Sequence, residues 1–162
     1  MAAVTHIPTK LIKAQGGLVA GQAVNFGDTT AGNFMALILT AGTGLPSFSS
    51  TGVQYVADVT ATNPEVTWAG YARQALTGIT WAFDATLGVV DFSFSPFTWA
   101  ADASDPGNVN RYIALYWKGV GTGDATYPLI PFIDPGAVFS VATASYTVTA
   151  PAGGLMQMTG GG

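Results

Sequence analysis

Side chains able to do chemistry are few in this chain of 162 residues: one histidine, no cysteine, five lysines and arginines, nine aspartates and glutamates. Acid–base, nucleophilic and metal-dependent catalysis all draw on those groups. His6 has no second histidine or cysteine with which to build a transition-metal site, and reads as a surface histidine. Gly119-Val-Gly-Thr-Gly123 has the glycine spacing of part of a phosphate-cradling loop. It lacks the terminal Lys-Ser/Thr and a following helix pattern, so a flexible hairpin is the better reading. Asp102-Ala-Ser-Asp105 offers oxygens to calcium, without the carboxylate density or closing glutamate of a calcium loop. With Pro106-Gly107 it reads as a solvated turn. Asp84 and Asp91 are the two carboxylates that could meet across a hairpin as a glycosidase acid and base, but Asp84 ahead of Leu87-Gly88 looks like turn chemistry. Serines and threonines have only His6 as a possible imidazole partner. Trp68, Trp81, Trp99 and Trp117 could stack on pyranose rings. Core packing is expected of most of them, with Trp68 left as the candidate exposed face. No catalytic, metal or cofactor-binding residue is assigned, and no cofactor is expected.

Composition points the same way. The chain is 49% hydrophobic and only 9% charged, against roughly 25% charged in ordinary soluble domains. Disordered chains are polar, charged and poor in aromatics, so this one is expected to fold and to bury much of its surface against neighbours, copies of itself among them. The net charge is −4, and the cations Lys10, Lys13, Arg73, Arg111 and Lys118 are scattered. No basic stripe follows a phosphate backbone, so no nucleic-acid partner is expected. The longest apolar run, Phe34 to Leu39, is far short of the roughly 20 residues of a membrane span, so no membrane partner is expected either. The start Met1-Ala-Ala-Val-Thr-His lacks the charged and apolar regions of a secretory signal. Absence of cysteine fits folding in a reducing cytoplasm.

The elements that would carry these residues read as strands. In Val89-Val-Asp-Phe-Ser-Phe-Ser95, Phe92 and Phe94 share one face while Ser93 and Ser95 share the other. Arg111-Tyr-Ile-Ala-Leu-Tyr-Trp-Lys118 is apolar on both faces, as a central strand between two layers must be. Phe34 to Thr40 reads as a buried strand, and Phe139, Val141 and Thr143, then Tyr146 and Val148, repeat the period of two. Three prolines in Tyr127 to Pro135 predict an edge strand, since proline cannot donate to the ladder. Glycines and prolines at 42, 44, 78, 88, 106–107, 119–123 and 135–136 mark turns. Only Thr9 to Gln15 has a helical claim, one or two turns before Gly16-Gly17. The pattern predicts an all-β chain with a single β-sandwich domain, jelly-roll or immunoglobulin-like, over residues 33–159. Residues 1–32 would be an N-terminal arm, short helix or strand, and 160–162 a flexible tail.

The stretch Glu65-Val-Thr-Trp-Ala-Gly-Tyr-Ala-Arg-Gln-Ala-Leu-Thr-Gly78 resembles the GYARQ-type block of small structural proteins of tailed bacteriophages. In that group an apolar strand precedes the block, as Phe34 to Thr40 does here. Further strands follow, echoed by Val89 to Trp99, by Tyr112 to Lys118 and by Tyr127 to Asp134. The likeness covers residues 33 to 150 in order. It implies a non-enzymatic virion component with a β-sandwich fold, assembled in the host cytoplasm. The leading expectation is a capsid decoration or minor capsid protein that stabilises the shell by multivalent binding to the major capsid protein and to copies of itself, as a homo-oligomer and possibly a trimer. The alternative is a tail-fibre or minor tail module contacting a host-surface glycan, and a small hydrolase comes third. Within the block, Gly70 would permit tight backbone geometry, Tyr71 and Leu76 would anchor opposite faces of a strand, and Arg73 would either clamp a carboxylate or lie in solvent. The partner-binding candidates are Lys10, Lys13, Trp68 and Arg73.

Overall fold

The structure, a computed structural model, describes residues 4–6, 24, 28, 30–42, 55–84, 89–107, 109–119, 122–151 and 156–159. Among the described residues, ten strands and one short helix follow one another: β1 (Val4–His6), β2 (Phe34–Thr40), α1 (Val56–Thr62), β3 (Gln74–Ala75), β4 (Thr80–Asp84), β5 (Val89–Ser93), β6 (Phe97–Trp99), β7 (Asn110–Trp117), β8 (Leu129–Asp134), β9 (Tyr146–Val148) and β10 (Met156–Thr159). They form a five-stranded sheet in the order β1-β8-β7-β2-β3, a three-stranded sheet β10-β5-β4 and a two-stranded sheet β6-β9. Every pairing is antiparallel.

Side-chain alternation divides the main sheet into two apolar faces. Phe34, Ala36 and Ile38 of β2 and Ile113, Leu115 and Trp117 of β7 belong to one cluster, which also holds Phe92, Phe97, Trp99 and Val148 from the smaller sheets. A row of rings links all three sheets. Phe34 lies 6.0 Å from Phe92, Phe92 is 4.5 Å from Trp81, and Phe94, Phe97 and Trp99 continue at 5.5 and 5.3 Å. Such tilted and edge contacts each contribute about 0.5–1.5 kcal/mol beyond the area they bury. The intervening residues, Leu37 and Leu39 with Tyr112, Ala114 and Tyr116, form a second cluster under Val56 and Val59 of α1. This is why β7 is apolar on both sides: each side is covered, one by sheets and one by the helix.

Helix α1 has no counterpart in the sequence reading. Its valines and threonines are weak helix formers, and seven residues are too few to stand alone. Tertiary contacts hold it. The Val56 and Ala57 amides donate to the Tyr127 and Asp124 carbonyls at 3.1 and 3.0 Å, and the Asp58 carboxylate accepts from the Tyr55 amide at 2.9 Å. At the other end fully buried Asn63 donates to the Ala41 carbonyl at 2.8 Å. Gly42 sits here with φ +51, and a Cβ on it would lie 2.2 Å from the Thr62 carbonyl oxygen. Gly42→Ala therefore meets both left-handed strain, about 1–3 kcal/mol, and a backbone clash. We expect the thermal midpoint to fall by several degrees, and an unchanged melting curve would contradict this packing.

Several expectations need correction. The segment around Leu129 to Asp134 is not an edge strand, because β1 pairs along its outer side. Its prolines are accommodated otherwise. Pro128 and Pro135 flank β8, and Pro131 falls where the β7 register slips between Ala114 and Tyr116. The alternation at Phe139 to Thr143 makes no strand, only an isolated bridge from Phe139 to Asn110. A carboxylate takes the Val141 amide instead, as described below. Tyr71 and Leu76 do not anchor opposite faces, since β3 is only two residues long and both side chains pack on one cluster. At the N-terminus, Val4–His6 adds a strand to the main sheet. Thr9 to Gln15, with Lys10 and Lys13, and residues 160–162 lie outside the described residues.

Candidate functional site

The block Glu65–Gly78 runs from the end of α1 across the main sheet to β4, and its polar side chains converge. Arg73, just ahead of β3, reaches two carboxylates at once. Its Nε and Nη2 donate to Glu65 at 2.8 and 2.6 Å, and its Nη1 and Nη2 donate to Asp124 at 2.7 and 2.6 Å. Nη1 also donates to the Tyr116 hydroxyl at 3.2 Å, and the guanidinium carbon stands 5.4 Å from that ring's centre. Glu65 in turn accepts from the Tyr71 hydroxyl at 2.7 Å, and that hydroxyl accepts from the Ile38 amide at 3.0 Å. One guanidinium thus ties the end of α1, strand β7 and the β7–β8 connection together. Arginine suits this task because its planar fork matches two carboxylates, which an ammonium cannot do. The hydrogen bonds it donates to Asp124 and Glu65 hold the Arg73 cation above its ordinary pKa, and Arg73 holds the Asp124 carboxyl below its own. Burial, with the Glu65 charge beside it, pushes the Tyr71 phenol up.

Gly70 lies in the tight Trp68–Tyr71 turn, where the Tyr71 amide donates to the Trp68 carbonyl at 3.1 Å, and it has a second reason for its place. That reason is close approach: a Cβ there would lie 1.6 Å from a carboxylate oxygen of Asp102. Asp102 also accepts from the Ser104 amide and hydroxyl at 2.8 and 2.6 Å. The Trp99 indole donates to the Ala72 carbonyl at 3.0 Å, fastening the block to β6.

The turn is exposed at Ala103, Ser104 and Pro106, as expected, but its Asp105 side chain faces inward. Asp105 is 4% exposed. Its Oδ2 accepts from the Val141 amide at 2.6 Å, the Ser140 hydroxyl at 2.9 Å and the Asn110 side-chain amide at 3.0 Å, while Oδ1 accepts from the Gly107 amide at 3.1 Å. Burial works against its charge, but these donors outweigh it and keep the carboxyl below its usual pKa. Asp28 plays a similar part near the start of β2, accepting from the Thr30 amide, the Trp117 indole and the Asn33 side chain at 2.9, 2.8 and 2.7 Å. Those bonds, Thr30 foremost, hold it well below the carboxylate range. Arg111 pairs with Asp134 and lies over the Tyr112 ring at 4.4 Å.

A folded-state pKa below the unfolded value means that the unfolded chain takes up protons first as the pH falls. The stability contributed by Asp28, Asp105 and Asp124 is therefore complete above about pH 5 and is lost below about pH 4, as the pH drops through the unfolded carboxylate range toward the folded values. We expect urea midpoints that are flat from pH 7 to 5 and fall steeply below 4. A midpoint unchanged down to pH 3 would be the contrary result.

Of the four partner-binding candidates, Arg73 is a clamp inside the fold, and Trp68 is 9% exposed in the core cluster with its ring edge against Tyr71 at 5.0 Å. Trp68 is therefore mostly buried, its ring closing the interior side of the block. Beside it lies a cavity of about 470 Å³ between Thr40, Pro64, Glu65, Trp68, Ser104 and Pro106. Lys10 and Lys13 fall outside the described residues. The possible acid pair is placed by register alone: Asp91 stands opposite Ala82 and Asp84 opposite Val89. The sequence reading missed Asp124 and Asp28, and named Glu65 only as the start of the block and Asp105 only as a turn residue or calcium ligand. The available signal was scarcity, since a chain with nine acids and five basic residues must use most of them deliberately. No protein-family model matches the chain, and comparisons with curated proteins and with solved structures found no match.

Proposed function

We propose that the chain is a non-enzymatic structural protein of a tailed-bacteriophage virion, a β-sandwich that binds the capsid in many copies as a decoration or minor capsid protein. The observation that carries this reading is the state of the Glu65–Gly78 block on which the resemblance rests. Glu65, Tyr71 and Arg73 satisfy one another and Asp124 within the fold, which is what a scaffold motif requires and leaves little for a substrate. The segments echoing the same group supply β2, β5, β7 and β8 in order. Many weak contacts on a lattice then add through multivalency. The reading as a tail module contacting glycan finds support in the cavity next to Trp68 and Glu65, whose size is within the range of ligand pockets.

Immunogold labelling and mass spectrometry of purified particles from a lysate carrying the gene test both. Label spread over the shell in many copies is the expected result. Label confined to the tail, with saturable retention on host cell-wall polysaccharide, favours the second reading, and absence from particles removes both. Deleting residues 1–16 is expected to leave a cooperatively melting domain that no longer copurifies with particles. Undiminished copy number would remove the role of those residues in attachment.

A further inference from the structure

Beyond β3, the outer side of β2 is paired by a short extended segment at residues 64–66. The Thr40 amide donates to the Pro64 carbonyl at 2.9 Å and the Val66 amide to the Ile38 carbonyl at 3.2 Å, bracketing the antiparallel bridge between Leu39 and Glu65. Backbone groups alternate along an extended chain. With residues 64 and 66 turned toward β2, the Glu65 N–H and C=O point the other way. Neither has a protein partner among the described residues. Folded proteins commonly guard such an edge with an outward charge. The Glu65 carboxylate does not serve as one, because it lies on the Leu39 side of the sheet and is held by Arg73 and Tyr71.

The other face of this segment walls the cavity of about 470 Å³. Pro64, Val66 and Trp68 line it, Val66 and Trp68 as members of the core cluster, and Ser104, Pro106 and Val109 form the facing wall. A sheet edge beside a largely apolar cleft is the arrangement in which extended peptides add a strand. Main-chain bonds then give affinity, and alternate side chains enter pockets. The rim carries one sign of charge. Asp102 accepts from the Ser104 hydroxyl at 2.6 Å and lies against Gly70, two residues after Trp68. Arg73 and Arg111 are committed to Glu65, Asp124 and Asp134, and Lys118 follows the far end of β7 from Asn110. Among the described residues, no cation faces the Asp102 carboxylate.

We propose that this cleft binds an extended peptide segment of a partner protein, which pairs its backbone with Glu65, seats an apolar side chain against Val66 and Trp68, and carries a lysine or arginine toward Asp102. One guest residue exchanges two hydrogen bonds with Glu65, as a hydrogen-bonded pair of an antiparallel ladder does. Side chains two positions apart share a face, so an apolar residue at i and a basic one at i+2 reach the cavity and its rim together. The site belongs to the single chain and is independent of the virion reading.

The probe is an end-capped, fluorescein-labelled peptide, Thr-Lys-Thr-Val-Thr-Lys-Thr, titrated with the purified full chain and followed by fluorescence anisotropy. Saturable binding is expected below about 1 mM, and at least several-fold weaker binding when both lysines are replaced by glutamate. N-methylation of the central valine removes its amide donor and should weaken binding at least about fivefold. Asp102→Asn should weaken the lysine peptide about two- to fivefold, the effect of an exposed ion pair. Ser104→Trp, at an exposed position of the cavity wall, should abolish binding. The N-methyl comparison uses the unmodified chain, so misfolding of a variant cannot produce its result. No saturation by the lysine peptide, equal binding of its N-methylated form, or equal affinity after Asp102→Asn would overturn the proposal. Saturation by chitohexaose with no peptide bound would also overturn it, assigning the cavity to a glycan.

Discussion

Replacing Asp105 by alanine is expected to lower the unfolding free energy by about 3–5 kcal/mol, because it removes a carboxylate that accepts several hydrogen bonds, each worth about 1.5–3 kcal/mol to a charged acceptor. The reason lies in what is left behind. The Val141 and Gly107 amides, the Ser140 hydroxyl and the Asn110 side chain all converge on this one carboxylate, and Asp105 and Asn110 are 4% and 0% exposed. Alanine strands the Val141 amide and the Asn110 side chain where water has little access, and an unmet buried donor costs about 1–3 kcal/mol. The loss should be global, because the cluster joins the turn at 102–107, the start of β7 and the 139–141 segment. Asp105→Asn makes the test sharper. The amide keeps the shape but has one acceptor oxygen where the carboxylate has two, so one of its ends must point N–H groups at donors. We expect it to recover less than half of the loss. For a chain of this size the alanine variant should melt roughly 6–20 °C lower. It should also flatten the fall in stability below pH 4, since one of the depressed carboxylates is gone. A midpoint within a degree of the parent would mean that the network has no energetic weight.

How much of this could be read beforehand depended on whether the signal was local. The faces of β7 were legible, because a strand apolar on both sides has to be covered on both sides, and it is. The same holds for Phe92 and Phe94, whose alternation with serines matched their burial at 0% and 5% exposure. Helix α1 was not legible, since nothing in Val56–Thr62 favours a helix and its end groups are satisfied by carbonyls from the β7–β8 connection. The alternation at Phe139 to Thr143 pointed to a strand, yet Val141 gives its amide to a carboxylate 36 positions away. Asp105-Pro106-Gly107 has the composition of a solvated turn, and only the fold reveals what reaches back to it. For the block itself, the fork of Arg73 was legible as a clamp in type. Glu65, eight positions earlier, was within sight, and Asp124, 51 positions later, was not.

Arg73 carries the second large effect. Arg73→Met keeps most of the aliphatic stem and removes the only cation between Glu65 and Asp124, whose side chains are 18% and 35% exposed. Two carboxylates, until then held by one guanidinium, would face each other across the vacated site. Full burial would make this loss about 3–5 kcal/mol, and partial exposure lets water screen some of it, so about 2–4 kcal/mol is expected. Arg73→Lys separates geometry from charge. An ammonium satisfies the sign but cannot span both carboxylates and Tyr116 with planar donors, so it should restore no more than about half of the stability. The pH response gives an independent check. With the guanidinium gone, Asp124 loses the interaction that holds its pKa down, and its protonation no longer costs folded-state stability. Below pH 4 the Met variant should therefore close part of its gap to the parent, because the parent is losing a contribution that the variant no longer has. A gap of constant size from pH 7 to pH 3 would show that Arg73 acts by packing alone. The clamp would then be ornamental to stability, and the Glu65–Gly78 block would need another explanation for its concentration of polar groups.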